Sequence, residues 1–152
     1  MEWAGHVVTI SGGDKLKARL DEIATNLENG RFVKIGFFAN ATYPDGTSVA
    51  QVAVWNDWGT KKIPPRPFFR TFAKQAHDNA ARRIGKLLKA NDYNAETTLD
   101  LLGTFEAGKL KAIINKGMPP PNAPYTIVKK GFDHPLLDTG HMRDSVAHEV
   151  EK

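Results

Sequence analysis

Three groups of residues in this 152-residue chain have types and spacings that could support chemistry, and each lacks a companion feature the chemistry requires. Leu136-Leu137-Asp138-Thr139-Gly140 matches the signature around the catalytic carboxylate of aspartic proteases. That reaction needs two carboxylates sharing one proton, from a duplicated chain or a dimer, with more β-structure after the motif. Only twelve residues follow Gly140, and the chain before it is largely helical in period. Asp138 and Thr139 therefore read as turn and cap residues. Gly103–Lys109 (GTFEAGK) satisfies most of a phosphate-binding loop, but position 110 is Leu where a magnesium-holding hydroxyl belongs, and Thr97–Leu102 before it has helical period. Gly103 and Gly108 then read as small residues that let another helix or chain approach. His134, His141 and His148 lie seven apart among Asp133, Asp138 and Asp144, but Pro135 and Gly140 interrupt the helix that would align them as a metal face. Cysteine is absent, which excludes disulfides, thiolate ligands and thiol nucleophiles. The sequence assigns no catalytic residue, no metal ligand and no cofactor, and the chain is not expected to be an enzyme.

The least interchangeable residues are elsewhere, in Trp55–Arg70 (WNDWGTKKIPPRPFFR). Two Trp, two Phe, three Pro, one Gly and four basic residues share this run. Trp, Phe and Arg anchor interfaces because they remove much apolar area from water for few frozen torsions. Prolines fix the backbone that carries them. Two readings stand: a rigid docking element, or aromatics that pin a loop onto the chain's own core.

The elements that must position these residues follow from periodicity. His6–Ile10 (HVVTI) reads as a strand. Asp14 is placed to cap a helix from about Lys15 to Leu27, with Leu16, Leu20, Ile23 and Leu27 at helical spacing and Gly30 as its stop. Arg31–Phe38 reads as a strand with Gly36 as a bulge or close-approach point. Asn40–Thr47 is turn chemistry. Thr47 or Ser48 caps a short helix closed by Gly59, and Thr60–Arg66 is a basic, proline-braced loop. Pro67 is expected as first residue of a helix running from Phe68 to Asn91. Its apolar stripe includes Phe69, Phe72, Ala76, Ile84 and Leu88, and its other face carries Lys74, His77, Arg82, Arg83, Lys86 and Lys89. A further helix, Ala95–Lys116, carries Leu99, Leu102, Phe105, Leu110 and Ile114 and stops at Gly117. Met118–Pro121 is a stiff spacer, Tyr125–Gly131 a helical turn, Asp138–Gly140 a cap, and Val146–Val150 a strand. The fold class is α+β: one domain, 1–152, with a small antiparallel or mixed sheet of three to four strands packed against two long helices.

The net charge of +4 favours polyanions at low salt, although Lys and Arg follow no nucleic-acid motif spacing. No run is long and apolar enough to cross a bilayer. The N-terminus lacks a basic n-region and does not read as a signal peptide, and the chain is expected in cytosol.

Two segments together resemble the neck proteins of tailed bacteriophages, the head–tail joining or tail-completion proteins. Val52–Thr60 (VAVWNDWGT) with Ile63–Phe69 (IPPRPFF) resembles that family's short helix ending N-E-[FW]-G-T followed by I-P-x-R-P-F-[LF]. Tyr125–Gly131 with Pro135–Val146 (PLLDTGHMRDSV) resembles T-[IL]-x-x-K-G followed by P-L-[IL]-D-T-G-x-[LM]-x-x-S-[IV]. Asp57 stands where Glu is usual, and Trp58 enlarges a position more often Phe. The resemblance implies a virion protein, made in host cytoplasm, that forms a homo-oligomeric ring (hexamer or dodecamer) at the portal–tail junction and completes the tail or joins head to tail. Its partners would be the portal or connector and the tail tube or terminator, close to packaged DNA, with no membrane and no cofactor. In that reading Trp55, Trp58, Lys61, Lys62, Arg66 and Phe68 are candidate interface residues; the contrary account is that Asp57 and Arg66, both near the Gly59 turn, brace the fold internally. Gly59, Pro67, Asp138, Gly140 and Arg143 shape turns, with Asp138 and Arg143 ordering the C-terminal one. The alternative is a basic nucleic-acid-associated module, built on the Arg82–Arg83 helix face.

Overall fold

A computed structural model of the chain describes residues 12–28 and 31–151. The fold is α+β, with helices α1 (Gly13–Leu27), α2 (Val49–Trp58), α3 (Phe68–Ala90), α4 (Ala95–Lys116), α5 (Pro124–Lys130) and α6 (His141–Asp144), and strands β1 (Phe32–Phe37) and β2 (Val146–Glu151). Among the described residues the sheet has two strands, not three or four. His6–Ile10 and Gly30 lie outside them. The Asn40–Thr47 turn adds only an isolated bridge, Thr42 to Ser48.

β1 and β2 pair antiparallel, with Phe37 opposite Val146, Ile35 opposite His148 and Val33 opposite Val150. These three pairs share one face by the two-residue alternation of strands. Both strands pack on α4. The approach is close: a Cβ on Gly103 would fall on the His148 ring and 2.9 Å from Val33 Cγ2. Gly103 therefore admits the sheet, not a helix or a second chain. Gly103→Ala is expected to cost about 1–3 kcal/mol, because the ring and strand it would meet are held by the ladder. A denaturation midpoint equal to that of the unsubstituted chain would show that the sheet can shift at no cost.

α3 and α4 fold against each other across a tight turn in which Asp92 and Tyr93 both adopt positive φ. Asn94 caps α4 by accepting from Thr97 N (2.9 Å). The core gathers Val49 and Ala53 of α2, Phe68 and Phe72 of α3, Leu110 and Ile114 of α4, and Met142 and Val146. Phe105, grouped with the apolar stripe by periodicity, is instead 49% exposed, between the cations of Arg83 and Lys109.

α1 departs from expectation in two ways. Gly12, with φ 108°, holds the N-cap position, and Asp14 sits inside the first turn, where it complements the helix dipole without a capping bond. No α1 side chain is buried; Leu16 and Leu20 are 62% and 56% exposed. Its polar side is tied to the α3–α4 turn through Arg19–Asp92 and Asn26.

Candidate interaction surface

The first motif block is built around a loop and a remote cap. Ser48 Oγ accepts from Gln51 N to open α2, and Gly59 closes it with φ 80°. A Cβ on Gly59 would stand 2.9 Å from Ile63 O and Pro65 N, so only glycine lets the chain fold back here. Thr60 N donates to Ile63 O, and Thr60 Oγ1 accepts from Lys62 N and Ile63 N. These bonds leave Lys61 and Lys62 exposed at the tip. Pro67 takes the N-cap position rather than the first helical one, and it has no side-chain acceptor for the free amides of α3. The carboxylate of Asp57 supplies it. Oδ1 accepts from Phe69 N (2.8 Å) and Arg70 N (3.3 Å), while Oδ2 accepts from Arg70 Nε (2.7 Å). Asp57 is only 3% exposed, so a charge taken out of water is met by amides, a cation and the helix dipole together.

The second block closes over the first. Arg66 is 4% exposed; its Nε donates to Pro120 O (2.8 Å) and its Nη2 to Pro121 O (3.0 Å). Burial pulls its pKa down, and the nearby Asp133 carboxylate opposes that shift. Lys130 Nζ donates to His134 O (2.9 Å) and to Leu137 O. Burial lowers its pKa too, against the pull of Asp138 and Asp133. His141 lies over Tyr43 at 4.9 Å between ring centroids and bonds Thr42 O through Nε2. Arg66 thus fastens the proline spacer to the loop after α2, Lys130 ties α5 to the turn that follows it, and His141 joins that turn to Thr42. Between them lies a cleft of about 330 Å³ lined by Tyr43, Asn56, Lys130, Leu136, Asp138 and Met142 among others.

That cleft holds one carboxylate among the described residues, Asp138, and no partner with which to share a proton. Asp138 is exposed, and the acid that pairs with Arg143 is Asp144 (2.7 Å). Arg143 also reaches Asn115. Asp138 and Arg143 therefore do not order the turn together. Gly140, at φ 86°, opens α6 where a Cβ would stand 2.9 Å from the Arg143 guanidinium. GTFEAGK lies inside α4, where its amides are spent on the helix. His134, His141 and His148 point to separate partners, and no three metal-ligating side chains gather among the described residues.

The six candidate interface residues divide. Arg66 and Phe68 are buried, Phe68 completely, and hold the fold instead of facing a partner. Trp55, Trp58, Lys61 and Lys62 are at the surface. Trp58 is 64% exposed, with the Arg70 guanidinium 4.0 Å above its ring. Beside it an apolar groove of about 290 Å³ runs between β1 and α2, lined by Ile35, Phe37, Val54, Trp58, Phe69 and Arg70 among others.

Two buried, ion-paired carboxylates have partners that the motifs do not specify. Asp57 acts twelve residues away along the chain, and nothing in its neighbours marks it as a cap. Glu106, 3% exposed and paired with Arg83, does leave a signal: it interrupts the apolar stripe of α4 four residues after Leu102 and four before Leu110. Compared with known protein families, with curated proteins and with solved structures, the chain shows no match.

Proposed function

We propose that the protein is a structural subunit of a tailed-bacteriophage neck, forming a ring at the head–tail junction that completes the tail or joins head to tail. The observation that carries the reading is the meeting of the two resembling blocks, Arg66 of the first bonded to the spacer that leads into the second, with aromatics left at the surface beside them. Portal or connector and tail tube or terminator are the partners in this reading, with a hexamer or dodecamer as the ring. A larger sheet of three to four strands belongs to the same proposal. No helix among the described residues is long and apolar enough to cross a membrane.

A ring needs two different faces on each subunit. The Trp58 groove is one, and the exposed stripe of α1, Leu16 and Leu20, is a second of suitable chemistry. Trp58→Ala and Leu20→Glu are each expected to leave cooperative unfolding within about 1 kcal/mol and to abolish assembly. Mixing the two variants should give a dimer through the one intact contact, measured as mass in solution. A Trp58→Ala chain that loses cooperative unfolding would show the ring to be core, and a mixture that stays monomeric would exclude the head-to-tail pairing. At the level of the virus, phage lacking this protein should accumulate unjoined heads and tails; normal infectious particles would overturn the reading.

A further inference from the structure

Charge is distributed unevenly in the fold. Six of the 23 residues of α3 are Lys or Arg and one, Asp78, is acidic, whereas the rest of the chain holds fifteen Lys or Arg against sixteen Asp or Glu. The surplus behind the net +4 therefore resides on one helix. Two of the six cations are committed, Arg70 to Asp57 and Arg83 to Glu106. Lys74, Arg82, Lys86 and Lys89 are exposed and have no ion-pair partner among the described residues. From Lys74 to Lys89 they spread over about 22 Å of the helix, roughly two-thirds of a turn of B-form DNA.

The form of the surface selects among polyanions. The apolar side of α3 is spent on the core, with Phe68 and Phe72 buried and the helix packed on α4, so no apolar face is left to enter a bilayer. The exposed side carries one ring, the His77 imidazole, and no Phe, Tyr or Trp to form a row on which successive unpaired bases could stack. Separated point charges without a stacking platform suit a phosphate backbone.

We infer that the exposed side of α3 binds the phosphate backbone of duplex DNA through Lys74, Arg82, Lys86 and Lys89, without reading sequence. This does not rest on the ring reading, because a monomer presents the same helix.

Fluorescence anisotropy of a labelled duplex of about 20 base pairs tests it. Four phosphate contacts predict a salt slope of about −3.6, hence roughly a hundredfold weaker binding at about 200 mM than at about 50 mM salt. The triple variant Lys74→Ala, Arg82→Ala, Lys86→Ala should reduce the slope to about −1 and weaken binding at low salt more than tenfold. Should that variant fail to fold, Arg82→Ala and Lys86→Ala singly should each lower the slope by about one. The pair Lys15→Ala, Lys17→Ala, exposed cations of α1, should change neither quantity. The site is overturned by absence of binding at about 50 mM salt, by an unchanged slope in the α3 variants, or by an equal loss in the α1 pair. Phosphatidylserine vesicles that bind as tightly as the duplex, with the same dependence on α3, would overturn the assignment to DNA. Sedimentation of the same samples reports assembly separately, so loss of DNA binding and loss of the ring are distinguishable.

Discussion

Alanine at Phe68 is expected to destabilise the protein by about 3–5 kcal/mol, the range for emptying a large aromatic site that cannot collapse. Phe68 has no exposed surface and meets Phe37 of β1 edge-on at 6.5 Å and Phe69 at 6.4 Å. It joins the start of α3 to the sheet, so the cavity would open where two elements depend on one side chain. In a domain of ordinary stability this is a large fraction of about 5–15 kcal/mol, and the melting temperature should fall by about 10 °C or more. Phe68→Leu, which fills much of the volume, should lose markedly less. Thermal and urea unfolding of the three chains measure this, and a loss below about 1 kcal/mol for Phe68→Ala would place the centre of the core elsewhere. Assembly would fail in this variant together with the fold, unlike in Trp58→Ala.

Asp57→Ala should cost about 2–4 kcal/mol, for a different reason. The Arg70 side chain is 43% exposed, so the ion pair alone contributes about 1 kcal/mol or less after screening. The larger part comes from the amides of Phe69 and Arg70, which lose their acceptor at a helix start where Pro67 offers none. Asp57→Asn keeps an acceptor oxygen but not the charge, and should lose about half as much. Amide hydrogen exchange locates the effect: the first turn of α3 should exchange faster in Asp57→Ala while α4 keeps its protection. Uniform acceleration, or none, would show that Asp57 does not act as the cap. Asp57→Glu bears on the phage resemblance, in which Glu is usual here. The longer carboxylate must find the same amides, so a stable variant would show that this turn accommodates either acid.

Legibility varied with the range of the interaction. The helix Ala95–Lys116 was readable because its cap, its period and its stop all lie within the segment: Asn94 accepts from Thr97, and Gly117 ends it at φ 73°. The strands Phe32–Phe37 and Val146–Glu151 were readable as strands, but not as each other's sole neighbours among the described residues, since more than a hundred residues separate them. Period put Phe69 on the apolar stripe and left Phe68 among the interface candidates, and the structure reverses this: Phe68 is sealed edge-on against Phe37 and Phe69, while Phe69 stays half-buried. Arg66 read equally well as an interface cation and, with Asp57, as an internal brace near the Gly59 turn, since guanidinium groups are seldom buried without partners. Two proline carbonyls, reached only after the spacer folds back, are what permit its burial.

By itself, then, the sequence determined the local elements and the α+β class, and it marked Trp55–Arg70 and Pro135–Val146 as the unusual stretches. Such features depend on residues a few positions apart, where spacing alone sets geometry. Tertiary structure alone decided which of those residues face outward. It buried Arg66 and Phe68, left Trp58 under Arg70 at the surface, and assigned Asp57 to cap α3. Burial and pairing are properties of neighbours brought together from distant parts of the chain, and a cation or an aromatic takes its role from what the fold sets beside it.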